Sequence, residues 1–355
     1  MAVRQRTVAI RQFIIDRVGE HPADIVRVTA EFWKITREAA RLHVKALEDA
    51  GVIHSEGRTS AKRHYLNAIA EESLSLPTEG LMEDVPWSRT IRPMLAGAPQ
   101  NVIDITGVAV TEMVNNVIDH SGSPDVVIDV RYTAATVDVT IVDHGVGIFH
   151  KVKQECGLNE EREAVLELVK GKLTTAPKEH TGYGIFFTSR MCDLFAIYSG
   201  RLMFTHIQPD NDWLFEQDRD EVPGTTVRLT IAMSTDRTAK DVYDQFCPPD
   251  AEGDFSFSKT HVPIRLAQYA DEQLVSRSQA KRVLVRFEKF KEVLLDFRGV
   301  DFIGQAFADE IFRVFPLAHK DVNLVFINAN PTVKRMIQLA RAGLDDRQMN
   351  LFDDP

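Results

Sequence analysis

VIDITGVAVTEMVNNVIDHSG, Val102 to Gly122, is the stretch from which the rest of the chain is read. It predicts a helix from Val102 to His120. Glu112 and Asn116 stand four residues apart and therefore share one face, with Asn115 on the adjacent face. The residues flanking them are apolar, which turns that face inward. Two strands of alternating character follow, VVIDVRY and TVDVTIV, and Asp143-His144-Gly145-Val146-Gly147 ends the second. Asp143 closes an apolar strand, where a buried carboxylate needs a hydrogen-bond donor. Gly145 and Gly147 let the backbone turn closely around a bound group. A charge-rich segment then leads to Thr181-Gly182-Tyr183-Gly184-Ile185, which opens another helix. Glycines at a helix start leave backbone N–H groups and the helix dipole free to hold an anion such as phosphate. Strands LFAIYSG, RLMFTHI and GTTVRLTIA complete the run.

Each of these motifs is weak alone, since a strand-ending turn or an ordinary helix start explains it. Their order and spacing carry more. From about Asn101 to Met233 the chain resembles the ATP-binding domain of the GHKL superfamily, which takes in gyrase, the MutL mismatch-repair proteins, histidine kinases and the serine kinases that act as anti-sigma factors. The resemblance implies an α/β sandwich that binds ATP with Mg²⁺. It implies Asn116 as the Mg²⁺ ligand, because that ion takes oxygen donors beside the nucleotide phosphates. It casts Glu112 as the general base that activates a water or hydroxyl, and Asn115 as a phosphate contact or support. Asp143 would hold the adenine amino group, with Gly145 and Gly147 around the base. Gly182, Tyr183 and Gly184 would cradle phosphate, and Thr225, after Gly224, would lie near the adenine. Residues from about 148 to 181 would form the ATP lid, with a helix over Glu160 to Val169. Lys172 and Lys178 are within reach of phosphate or simply solvated.

Upstream, Val8, Ile10, Phe13, Ile14 and Val18 recur at helical spacing and Gly19 ends the run. A short helix around Ala23 to Trp33 precedes one from Arg37 to Ala50, capped by Thr36 and stopped by Gly51. Two strand-like pieces then flank Ser55-Glu56-Gly57-Arg58. This order resembles the winged helix of bacterial regulators, whose third helix enters the major groove. The resemblance implies DNA contacts from Thr36, Arg37, Arg41, His43 and Lys45, and from Arg58, Ser60, Lys62 and Arg63 on the wing. Such side chains suit phosphates and guanine edges. A winged helix used for protein contact is the alternative.

After about Thr235 the texture changes to alternating strands and helices, which predicts a small, largely parallel α/β layer. The expected order is a strand in FSFSKTHVPI, a helix near Ser276 to Phe287, strand EVLLDF, helix Gln305 to Phe315, strand NLVFINA and helix Pro331 to Ala342. VLLDFRGVDFIGQAFADEIF resembles the STAS domains of anti-sigma-factor antagonists. Those place a phosphorylatable Ser after the apolar Ile, where this chain has Gly304-Gln305-Ala306, so the resemblance does not extend to a phospho-switch. A docking or dimerising module is the other reading. The tail, Leu344 to Pro355, reads as disordered.

The expected fold class is thus multidomain α+β. It comprises a winged helix over 1–72, a linker over 73–100 rich in Pro, Ser and Glu, the ATP-binding sandwich over 101–235, and a STAS-like α/β domain over 236–355. Bulk properties agree with a globular protein of 355 residues, 44% hydrophobic and 26% charged. No apolar run is long enough to span a membrane and no secretory signal is readable. Three dispersed cysteines argue against a zinc site or disulfide framework, and point to the cytoplasm. The net charge of −10 is uneven: residues 1–70 carry twelve Lys and Arg against eight Asp and Glu, about +4, leaving about −14 for the rest. One end can therefore meet a polyanion that the remainder repels. The function expected is a cytoplasmic, ATP-binding regulator of transcription acting through DNA or a protein partner, as a possible homodimer. A Ser/Thr protein kinase and a slow ATPase clamp are the alternatives.

Overall fold

The computed structural model describes residues 3–173, 182–209, 211–218, 222–249, 255–268 and 272–349. The N-terminal unit comprises α1 (Val3–Arg17), α2 (Ile25–Trp33), α3 (Arg37–Asp49) and a hairpin of β1 (Ile53–Glu56) and β2 (Arg63–Leu66). Thr36 caps α3 by accepting the Ala39 N–H at 3.2 Å, and Gly51 beyond its end takes φ +70°. A separate small core of Ile10, Ile14, Val18, Ile25, Val44, Leu47 and Ile53 holds the unit together. The hairpin pairs antiparallel, Ile53 opposite Leu66.

Only Asn67 separates β2 from β3 (Ala68–Pro77). The linker expected over 73–100 is corrected here, because that stretch is built into the central domain. β3 pairs antiparallel with β4 (Asp125–Thr133), ending with Pro77 opposite Asp125. Ile91 and Leu95, flanking the short α4 (Arg92–Met94), are fully buried in the central core. β3 escapes a pattern reading because it is an edge strand with most side chains exposed, so no apolar alternation marks it.

The central domain continues through α5 (Gln100–Asn116), β5 (Thr136–Asp143), α6 (Ile148–Cys156), α7 (Glu161–Lys170), α8 (Gly184–Met191), β6 (Leu194–Gly200), β7 (Leu202–Ile207), β8 (Asn211–Glu216) and β9 (Val222–Ala232). Its sheet runs β3-β4-β5-β9-β6-β7-β8, antiparallel at every pairing. Alternation decides the faces. Val126, Ile128, Val130, Val137, Val139 and Ile141 are buried towards the helices, while Asp129, Arg131, Asp138 and Thr140 line an open polar face. α5 does not stop at Asn116; it passes into a π-helical turn, Val117–Ser121, that ends at Gly122 with φ +67°.

α9 (Ala239–Phe246), opened by a Thr238–Asp241 capping box, leads to the C-terminal domain. There β10 (Lys259–Pro263), α10 (Arg277–Leu284), β11 (Glu292–Asp296), α11 (Gln305–Asp309), α12 (Phe315–Ala318), β12 (Asn323–Ile327) and α13 (Pro331–Met349) follow in turn. The sheet is parallel, ordered β10-β11-β12, as the alternation predicts. α13 runs to Met349, past the expected end at Ala342 and into the tail expected to be disordered. Residues 350–355 lie outside the described residues.

Of the segment expected as a lid, α6 and α7 are described and 174–181, including Lys178, are not. α7 is buried from Ala164 through Lys170, packed between the central domain and the C-terminal domain. Among the described residues no helix is long and apolar enough to cross a membrane.

Candidate functional site

A cavity of about 330 Å³ opens between α5, the turn after β5, α6 and the start of α8. Glu112, Asn115, Asn116, Asp143, Gly147, Gly182, Tyr183, Gly184 and Thr225 all line it. These positions span more than a hundred residues of sequence, and the fold brings them to one place. Gly145 is not among the lining residues. Its N–H donates to Asp143 Oδ1 at 2.8 Å, and a side chain there would collide with the Ser121 carbonyl. Its missing Cβ admits the Ser121 carbonyl, in the turn that follows α5, to the Asp143 turn. The Ser121 carbonyl also accepts the Val146 N–H at 2.9 Å, so the π-helical turn sets where the glycine loop lies.

Asp143 is 4% exposed. Burial raises its pKa, and hydrogen bonds from Gly145 and Thr225 oppose that rise. A buried carboxylate oxygen facing a cavity calls for a donor such as an exocyclic amine. Thr225 stands opposite Asp143 in the β5–β9 register, and its Oγ1 accepts the Ile148 N–H at 3.1 Å. Thr225 thus fastens the start of α6 as well as the floor of the cavity. Gly147, at φ +80°, lies where a Cβ would come within 2.8 Å of Ser199 Oγ.

At the other end, Gly182 has φ +70° and Tyr183 precedes the first residue of α8. A side chain at Gly184 would run into Glu112 Oε2, with Glu112 Cδ at 3.3 Å. The glycine therefore lets the Glu112 carboxylate rest against the N-terminus of α8, where the helix dipole favours negative charge. Asn116 Nδ2 lies 3.9 Å from Met113 Sδ, a weak contact that leaves the carboxamide available to the cavity.

Sequence reasoning missed much of the lining. Lys151, on α6, lines the cavity and donates to the His120 carbonyl at 2.9 Å. Ile148, Val152, Leu168, Leu173, Ile185, Ile197 and Val227 form apolar walls suited to a planar ring. Lys151 could have been sought from its place one turn into the helix after Gly147; the apolar walls carry no local signal. Lys172 turns away from the cavity, its Nζ 4.6 Å from the Phe290 ring centroid in the C-terminal domain.

Residues 85–203 match the family model of the histidine kinase-like ATPase domain. The chain carries an ATPase domain of the histidine-kinase-like type. The match stops short of β9, yet the structure places Thr225 of that strand in the same cavity. Residues 279–334 match a STAS-like domain of unknown function, DUF4325. No curated protein matches the chain.

In the STAS-like domain, Gly304 precedes α11. Its N–H donates to the Leu274 carbonyl at 2.8 Å, and a Cβ at 304 would sit 2.7 Å from Val275 Cα. The chain's own Leu274–Val275 segment, bridged to Ile303, covers the helix start.

In the N-terminal unit, Thr36, Arg37, Arg41, Lys45, Arg58, Lys62 and Arg63 are all exposed. They are not equally free to meet a ligand. The Thr36 hydroxyl accepts the Ala39 N–H, Arg41 lies 3.7 Å from Glu38, and Lys62 pairs with Glu48 at 3.1 Å. His43 is half-buried, and burial lowers its pKa with help from Arg11. The side chain of Ser60 lies outside the described residues.

Proposed function

We propose that this chain is an ATP–Mg²⁺-binding regulator whose nucleotide state is passed to an N-terminal winged helix that binds DNA. The observation that carries the reading is the convergence of Glu112, Asn116, Asp143, Gly182 and Gly184 on one cavity. Adenine would lie against the apolar walls with its amino group on Asp143, and the phosphates would run towards Asn116 and the start of α8. Among the described residues no three His, Cys, Asp or Glu side chains gather into a metal cage. That donor set fits Mg²⁺, which keeps waters and takes much of its shell from substrate phosphates. Asn116 would supply one protein oxygen, and the ion would neutralise phosphate charge.

The position of Glu112 against α8 favours chemistry as well as sensing. Its carboxylate would take the proton of an attacking water or hydroxyl as that oxygen bonds to the γ-phosphorus and the bond to the leaving ADP oxygen breaks. The test is turnover of γ-labelled ATP by wild type and Glu112→Ala, with free phosphate and labelled protein counted separately. Phosphate release lost in the variant supports an ATPase, and labelled protein lost in the variant supports a kinase. Binding of ATP without turnover in either protein removes the enzymatic reading and leaves a sensor.

DNA binding is supported by the +4 charge of the first seventy residues and the exposed Arg37, Arg41, Lys45, Arg58 and Arg63. Titration of duplex DNA at several salt concentrations tests it. Arg37→Ala and Lys45→Ala should each reduce the salt slope by about one; salt-independent or undetectable binding by wild type would leave protein contact as the role of this unit.

A further inference from the structure

Two walls of the nucleotide cavity are held from outside the ATPase domain. Leu168 and Leu173 form one wall and Gly182 to Ile185 the other. Phe257, a side chain 2% exposed in the segment before β10, packs against Gly171, between Leu168 and Leu173, and against Tyr183 in the other wall. The Tyr183 and Phe257 ring centroids are 4.9 Å apart. A Cβ on Gly171 would meet the Phe257 ring at 2.7 Å, so that glycine, at φ +74°, admits the ring beneath the end of α7.

α7 is tied to the same side by its ions. Arg286 pairs with Glu167 Oε2 at 2.6 Å and donates to the Glu167 carbonyl at 2.8 Å. Lys170 Nζ donates to Glu167 Oε1 at 2.6 Å, to the Val285 carbonyl at 3.1 Å and to the Arg282 carbonyl at 3.3 Å. Arg282 itself reaches Glu163 at 3.3 Å, and Thr260 Oγ1 donates to the Lys170 carbonyl at 2.7 Å. Glu167 and Lys170 are not among the cavity residues, yet both are buried. Buried ions are tolerated only when paired and hydrogen-bonded, and here α10 and its C-terminal extension supply those partners. The local structure of α7, and with it the Leu168–Leu173 wall, depends on the STAS-like domain staying docked.

We propose that the STAS-like domain regulates the nucleotide site in cis. Docked, it pre-forms both walls through Phe257 and the Arg282–Arg286 contacts; undocked, it leaves the cavity loose and nucleotide binding weak. The inference rests on the cavity being a nucleotide site. Because coupling between two equilibria is reciprocal, bound nucleotide must also tighten the docking.

The experiment uses the full chain and a fluorescent ATP analogue with Mg²⁺, comparing wild type, Phe257→Ala, Phe257→Leu and Arg282→Ala, each checked for folding by circular dichroism. Phe257→Ala is expected to weaken binding by roughly 5- to 150-fold, the span of ordinary allosteric coupling, mainly through faster dissociation. Phe257→Leu should recover most of the affinity, and Arg282→Ala, at a half-exposed ion pair, should shift it in the same direction by less. Amide exchange in α10 should slow when wild type binds ATP. Folded variants with the wild-type Kd, or α10 exchange indifferent to nucleotide, would overturn the proposal while leaving the nucleotide site intact. If Phe257→Ala does not fold, Arg282→Ala and the exchange measurement decide. A wild type that binds no nucleotide overturns the proposed function, and this inference with it.

Discussion

Replacing Gly184 with Ala separates binding from chemistry in this site. The backbone of Gly184 is ordinary helix, so alanine adopts it without strain, and it favours the helix by up to about 1 kcal/mol over glycine. The added methyl meets no backbone. It meets Glu112 Oε2 well inside the 3.0 Å that real Cβ atoms respect. The carboxylate is the far end of a flexible side chain, so it moves while the fold stays. Restoring ordinary contact requires a shift of about 1 Å, and a misplacement of that size in a catalytic group costs about 100-fold in rate. Complete loss of a general base costs about 100- to 10,000-fold, so the variant should fall near the lower end. Asp143, Gly147 and Thr225, at the other end of the cavity, are untouched, and affinity for a fluorescent ATP analogue should change by less than about threefold. The assay pairs γ-labelled ATP turnover with analogue titration and a thermal melt. Wild-type turnover in Gly184→Ala would show that Glu112 is not the base, or that its place against α8 is immaterial. Loss of binding in proportion to rate would show that the methyl blocks phosphate rather than displacing the carboxylate.

Three further outcomes follow from the geometry. Asp143→Asn keeps the shape but presents an NH₂ or a neutral oxygen where the buried carboxylate accepts, so ATP binding should weaken by about 1–3 kcal/mol; an isothermal titration equal to wild type would remove Asp143 from adenine recognition. Burial lowers the Lys170 pKa to about 8, so the folded state sheds this proton before the unfolded state does. Its destabilising contribution is present in full below about pH 8 and is relieved as pH rises from there towards the ordinary lysine value of 10.5. Against Lys170→Met, which cannot titrate, wild type should therefore gain about 2–3 kcal/mol in urea melts between pH 7.5 and pH 10; a constant difference between the two proteins would show that Lys170 stays charged. Gly304→Ser, which writes in the residue that STAS antagonists carry, should destabilise by about 1–3 kcal/mol through its clash with Val275 and take up no phosphate from labelled ATP; a stable, labelled variant would mean the Leu274–Val275 cover yields readily.

The parts that sequence reading recovered are those with local signatures. The helix around Glu112, the alternating β4 and β5, the glycine turn after Asp143 and the strand–helix rhythm of the C-terminal third each declare themselves within a dozen residues. β3 did not, because an edge strand buries too little to alternate, and its Pro and Ser content reads as irregular chain. The packing of Gly145 against Ser121 has no local signal either, because that contact arises only once α5 has passed through its π-helical turn. α7 falls within one residue of its expected bounds, but its buried setting has no local signal. Glu167 and Lys170 look like a solvated helix face, and nothing nearby in sequence reveals that Arg286, more than a hundred residues on, makes that face an interior one.

The single residue between β2 and β3 has mechanical consequences. Asn67 is held on both sides: its side chain donates to the Gly51 carbonyl at 2.7 Å, and its N–H donates to the Val52 carbonyl at 2.9 Å. Arg131 of β4 grips the Leu66 carbonyl at 3.0 Å. A flexible tether would let the N-terminal unit tumble and report nothing of events in the sheet. Here that unit is mounted like a pointer on a shaft. A change in strand twist of about 10° at the edge of the sheet, carried over the roughly 20 Å length of a helix such as α1, displaces the far end by about 3–4 Å. That is about the rise of one base pair, a displacement that a duplex held by this unit, as proposed above, would register.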